Sequence, residues 1–202
     1  MPAQSRREFV AGAAGRIECA VDEPEGGATR GVALVAHPHP LFGGTLDNKV
    51  AQTLARAFVE LGYAAWRPNF RGVGQSEGSH DEGRGELEDL LAVLEHAGAR
   101  RPALAGFSFG AAIVAQVAQR MEGEMRAERL VLVGLAVNRL PVPKVAADTL
   151  VIHGEEDTTV PLTDVFAWAR PQDLPVVVIP GADHFFHRRL NLLRAIVKGN
   201  WK

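Results

Sequence analysis

Cysteine is almost missing from this sequence: Cys19 stands alone. No disulfide can form within the chain, which suits a reducing compartment. Basic blocks are also missing, and the formal net charge is −2. That balance argues against nucleic acid or an anionic membrane surface as a partner. No apolar run approaches the ~20 residues that cross a bilayer as a helix. The N-terminus carries Arg6 and Arg7 but no apolar segment behind them, so a secretory leader is not expected. These absences together predict a cytoplasmic protein. No internal repeat and no linker-like stretch breaks the chain, so residues 1–202 are read as a single domain.

What is present is a globular composition, 47% hydrophobic and 23% charged. One stretch organises it: Leu104-Ala105-Gly106-Phe107-Ser108-Phe109-Gly110-Ala111-Ala112. An apolar run suited to a buried strand enters Gly106, and small aliphatic residues suited to a helix leave Gly110. The single hydroxyl between them gives the G-x-S-x-G pattern of a strand–turn–helix elbow. Such a turn strains the serine backbone and leaves no room for side chains at the flanking glycines.

Around this stretch, apolar runs alternate with segments of helical periodicity. Glu8–Ala11 and Arg16–Val21 read as a hairpin with a half-exposed edge strand, and Cys19 on it reads as packing. Gly31–Ala36, Tyr63–Pro68, Leu130–Gly134, Thr149–His153 and Pro175–Ile179 read as buried strands. Helices are expected from Asp47 or Asn48 to about Leu61, from Asp81 to about His96, from the elbow to about Met121, over Leu162–Ala169, and from about His187 to Val197. The alternation predicts an α/β fold with a doubly wound, mostly parallel sheet of about eight strands. Chemistry in such sheets sits at the carboxyl ends of the strands. That singles out the loops at His37, Asn69, Ser108, Asp157 and His184.

A serine hydroxyl needs a base, and a base needs an acid to fix its tautomer. His184, just past the last strand, is the expected base. His187 already enters a helix, and His153 at a strand end reads as structural. Asp157, in a turn after a buried strand, is the expected acid, with Glu156 next and Asp183 too close in sequence to His184. Two backbone N–H groups should stabilise the oxyanion. Phe109, following the nucleophile, is one. Pro38 and Pro40 have no N–H, so His39, Leu41 and Phe42 remain for the other. His37 and His39 lack a third ligand pattern, so no metal site is expected. Gly72-x-Gly74 with Gly78 lacks the Lys-Ser/Thr of a nucleotide loop, and Arg71 is expected to tie loops together.

These motifs, with Asn69–Gly78, His153–Pro161 and Gly181–Phe186, resemble the α/β-hydrolase superfamily. His37-Pro38-His39-Pro40-Leu41-Phe42-Gly43-Gly44-Thr45 is similar to a group of small, lidless bacterial serine esterases related to dienelactone-hydrolase-like proteins. True dienelactone hydrolases carry cysteine at the elbow, and this chain has serine. The resemblance implies Ser108, Asp157 and His184 as the catalytic residues and Leu41, then His39, as the second oxyanion donor. It implies no cofactor. The short Gly134–Thr149 connection leaves no space for a lid domain. His39, Phe42, Phe107, Leu135 and Phe185 are expected to line an open site for small or short-chain acyl esters. A peptidase, thioesterase or acyltransferase on the same residues, or a hydrolase-shaped binding protein, are the alternative expectations.

Overall fold

A computed structural model of the chain describes residues 4–27, 29–121, 123 and 126–201. One sheet of eight strands runs through it in the order β1-β2-β4-β3-β5-β6-β7-β8. The strands are β1 (Gln4–Gly12), β2 (Gly15–Glu23), β3 (Gly31–Ala36), β4 (Tyr63–Pro68), β5 (Ala103–Phe107), β6 (Arg129–Val133), β7 (Leu150–Gly154) and β8 (Val176–Ile179). The first two form the antiparallel hairpin at one edge, and β2 joins β4 antiparallel. Every other pairing, from β4 through β3 to β8, is parallel.

Among the described residues, five α-helices cover the sheet: α1 (Lys49–Glu60), α2 (Arg84–His96), α3 (Phe109–Arg120), α4 (Leu162–Ala169) and α5 (Leu190–Asn200). Successive strand residues point to opposite faces, and the core divides accordingly. Ala33, Val35, Ala103, Ala105 and Phe107 pack on the α1 and α5 side. Leu34, Ala36 and Leu104 pack on the side of α2 and α3. Phe58, Leu54, Leu90 and Leu94 are fully buried or nearly so. Each such side chain contributes roughly 1.5–3 kcal/mol through apolar burial. Between β6 and β7 the chain forms only turns and bends, so no lid domain is inserted.

Two helices start later than their periodicity suggests, and the backbone gives the reason. Glu82 and Gly83 adopt positive φ, so α2 begins at Arg84. Phe186 and Arg188 also adopt positive φ, which breaks helical geometry until Leu190. The hairpin strands are also longer than the apolar runs suggest, nine residues each. No helix among the described residues is long and apolar enough to cross a membrane.

Cys19 lies on β2 with no solvent exposure. Burial, with the Glu18 charge beside it, pushes its thiol up to about 12. The native protein should therefore resist a disulfide reagent such as DTNB at pH 8. One thiol should react once the chain is unfolded in urea; rapid labelling of the native state would contradict this packing.

Candidate active site

The elbow is built by close approach of backbones. A Cβ on Gly106 would lie 2.4 Å from the Gly110 carbonyl group, and one on Gly110 would lie 2.4 Å from the His37 carbonyl oxygen. Only glycine allows β5, α3 and the end of β3 to meet this tightly. Ser108 sits at the apex with φ 55° and ψ −116°. Such a conformation costs on the order of 1–3 kcal/mol and persists only when its surroundings impose it. The Ser108 N–H donates to the Val133 carbonyl, and its own carbonyl accepts from Ala111 and Ala112. Ser108 occupies the N-cap of α3, yet its hydroxyl makes no cap bond. It is left for another partner.

That partner is His184. Its Nε2 lies 3.1 Å from Ser108 Oγ, and its Nδ1 lies 2.6 Å from Asp157 Oδ2. All three residues are at least 92% buried, at 8%, 5% and 5% exposure. A carboxylate facing Nδ1 holds the ring proton there, so Nε2 is left as an acceptor for the serine O–H. Asp157 is itself fixed: its Oδ1 accepts from the N–H groups of Thr159 and Val160 at 2.9 and 2.8 Å. His153 supports the same turn by donating from Nε2 to the Val160 carbonyl at 2.8 Å. The His184 ring rests on Phe107, with centroids 4.9 Å apart.

The rival residues lie elsewhere. Glu156 is exposed. Asp183 accepts from His187 at both its N–H and Nδ1, at 3.0 and 2.5 Å. Gly134, at the end of β6, is a site residue that the sequence reading passed over. A Cβ there would lie 3.3 Å from His184 Cε1 and 3.0 Å from Phe107, and its φ is +54°. A glycine closing a buried strand beside the elbow strand was the available signal.

The loop after β3 is a 3-10 turn, Pro40–Phe42, capped by His39. Here the structure corrects an expectation. The Leu41 N–H donates to His39 Nδ1 at 3.2 Å, and the Phe42 N–H donates to the His39 carbonyl at 3.1 Å. Both are consumed inside the turn. Among the described residues, the His39 N–H has no such partner. Neither has the Phe109 N–H, which opens α3. Gly44 likewise serves the turn rather than a ligand, since a Cβ there would lie 2.1 Å from the Pro38 carbonyl oxygen.

The expected lining also changes. Phe107 and Leu135 have no exposed surface; each points into the core, on opposite sides of the sheet. They support the site from beneath and do not line it. Phe42, at 81% exposure, Leu41, at 68%, and Phe185, at 48%, stand open to solvent. Below them, His39 packs against Phe42, Phe109 and His80, with centroids 4.7 to 4.9 Å apart. His80 in turn donates from Nδ1 to the fully buried Glu86 at 2.8 Å. Arg71 ties its loop to helix α2 and not to another loop as expected, through a bidentate pair with Asp89 at 2.8 Å for both bonds.

A mostly parallel sheet with a serine elbow and no lid is the architecture of the α/β hydrolases. A family model for the alpha/beta hydrolase fold matches residues 39–144, and the chain belongs to that family. Its solved relatives include an alpha-beta serine hydrolase homologue from Coxiella burnetii, 39% identical, covering 98% of this chain and 97% of that one with a TM-score of 0.88. A lidless serine hydrolase from Xanthomonas campestris is 35% identical, covering 99% and 94% with a TM-score of 0.89. A Rickettsia prowazekii protein of uncharacterized activity is 32% identical over 178 residues, 77% of this chain and 71% of its own length. The chain thus groups with lidless α/β serine hydrolases of the dienelactone-hydrolase-like kind.

His37 fixes the floor of this site. Its Nδ1 donates to the Pro38 carbonyl at 2.6 Å, and its Nε2 accepts from the Phe70 N–H at 3.0 Å. Both nitrogens are committed, so neither is open to a metal. Burial pushes its pKa down to about 4. Folded His37 therefore binds a proton less readily than the unfolded chain, and its stabilising effect is present above about 6.5 and lost as pH falls toward 4. The loss is on the order of 3 kcal/mol. Burial lowers His153 too, adding in the same direction. Urea midpoints should fall between pH 7 and 4.5, and a His37→Asn variant, weaker at pH 7, should fall less. A wild-type midpoint that stays level would contradict this account.

Proposed function

We propose that this chain is a carboxylesterase that cleaves small or short-chain acyl esters through an acyl-enzyme on Ser108. The observation that carries the reading is the hydrogen-bonded series Ser108–His184–Asp157, at 3.1 and 2.6 Å. In this reading Ser108 Oγ attacks the ester carbonyl while His184 Nε2 takes its proton. Asp157 stabilises the resulting imidazolium through Nδ1–H. His184 then protonates the departing alcohol, and water, deprotonated by the same nitrogen, releases the acid. No cofactor enters the cycle.

The oxyanion is assigned to the N–H groups of Phe109 and His39, both left without a partner among the described residues, instead of Leu41. The N-terminal end of α3 adds its positive partial charge. Esters are favoured over amides by the form of the site. Without a lid, and with Leu41, Phe42 and Phe185 standing open to solvent beside it, remote binding energy is small. Little is then available to expel a poor amine leaving group. Short acyl esters need the least.

Ser108→Ala should lower p-nitrophenyl acetate turnover by roughly 10⁶-fold, to background, and Asp157→Asn by about 10⁴-fold through loss of the correct tautomer. Acetate and butyrate esters should turn over well and the corresponding anilides should not. Undiminished hydrolysis by Ser108→Ala, or preferred cleavage of anilides, would overturn the proposal.

The donor assignment has its own test. His39 has φ −53°, a value proline adopts. His39→Pro removes the N–H, while His39→Ala keeps it, and both delete the ring. The proline variant should have a kcat about 10²–10³-fold below the alanine variant. Equal values would return the role to another N–H.

A further inference from the structure

Read along the chain, the basic residues form no block. The fold brings some of them together. A cleft of about 280 Å³ lies between α1 and the start of α5, lined by Thr53, Arg56, Arg188, Leu190, Asn191 and Arg194. Three of these six residues are arginines and none is acidic, in a chain whose net charge is −2. Arg194 has a counter-charge: it donates to Glu60 at 3.1 Å, a carboxylate that also takes Lys198 at 2.6 Å. No carboxylate answers Arg56 or Arg188 among the described residues. Asp183, the other acid near this turn, is occupied by His187.

Like charges gathered around one concavity repel each other, and the arrangement is stable only with solvent or a counter-anion between them. A second feature points the same way. Arg189 caps α5 without any side-chain bond, so the first N–H groups of this eleven-residue helix remain open. Asn191 and the Thr53 hydroxyl add polar groups to the wall, the hydroxyl already donating to the Lys49 carbonyl at 2.7 Å.

From this placement we propose that the α1–α5 cleft is a binding site for a small phosphoryl anion. A carboxylate would neutralise one guanidinium only, whereas a phosphate or diphosphate carries several charges and matches the forked donors of arginine. The cleft is at the small end of ligand pockets, which favours such an anion over a larger molecule. Arg188 stands four residues after His184, on the same loop, so an occupant would also hold that loop from its far side. The proposal does not depend on the hydrolytic reading.

Calorimetric titration with sodium pyrophosphate, at constant ionic strength, tests it. One saturable site is expected. The double variant Arg56→Gln/Arg188→Gly should bind at least tenfold more weakly, and Arg100→Gln, on the α2–β5 connection, should bind as wild type. Glycine accepts the φ of +60° at position 188, and an unchanged thermal midpoint of the double variant would verify its fold. No saturable binding at millimolar pyrophosphate would overturn the proposal. So would equal affinity in the double variant, or binding of a single-stranded oligonucleotide or phosphatidylserine vesicles without binding of pyrophosphate.

Discussion

The contact on which the rest depends is between backbones, where Gly110 presses on the carbonyls of Ala36 and His37 and Gly106 presses on Gly110. It joins three things at one point: the end of β3, the end of β5 and the start of α3. Because β3 and β5 are adjacent parallel strands, their following loops emerge side by side. The serine, the first turn of α3 and the His37–Gly44 loop are thereby assembled by sheet geometry alone. Ser108 holds its left-handed backbone only because these contacts leave it no alternative. The stability given up there is small against a core containing many fully buried aromatic and aliphatic side chains.

The other half of the site is made differently. Asp157 and His184 stand on loops beyond β7 and β8, which lie toward the far edge of the sheet from the hairpin. A backbone contact brings these two loops together: a Cβ on Gly154, at the end of β7, would lie 2.4 Å from the Ala182 carbonyl oxygen, which also accepts from the Glu156 N–H at 2.9 Å. Within that frame, Asp157 is held by two N–H groups of its own turn, and the imidazole by Phe107 beneath it and the space left at Gly134. Ser108 is placed by the turn of its own backbone, whereas the Asp157 and His184 side chains are placed by hydrogen bonds and ring packing.

Much of this was legible before any coordinates. Continuous apolar runs such as Gly31–Ala36 and Leu130–Gly134 announce strands covered on both faces. Gly106 and Gly110 announce an elbow because few other local structures need two glycines around one serine. His184 and Asp157 follow from strand ends and chain order. What was not legible depends on direction. Phe107 adjoins Ser108 in sequence but points to the α1–α5 face, as strand alternation requires once the register is known. Leu135 follows β6 and looks equally available, yet packs inward. Whether the Leu41 N–H is free depends on where the His39 ring turns, which no residue pattern encodes. In the α1–α5 cleft, Arg56 precedes Arg188 and Arg194 by well over a hundred residues and meets them only because α1 and α5 share a face.

The absence of any inserted segment between β6 and β7 has a kinetic meaning. Enzymes that hide their serine under a mobile cover need an oil–water boundary to expose it, and their rates jump when substrate exceeds its solubility. Here the rim of Leu41, Phe42 and Phe185 is already bare in the free protein. Nothing among the described residues has to open, so on the proposed reading a dissolved ester reaches Ser108 directly, with no boundary needed to uncover it.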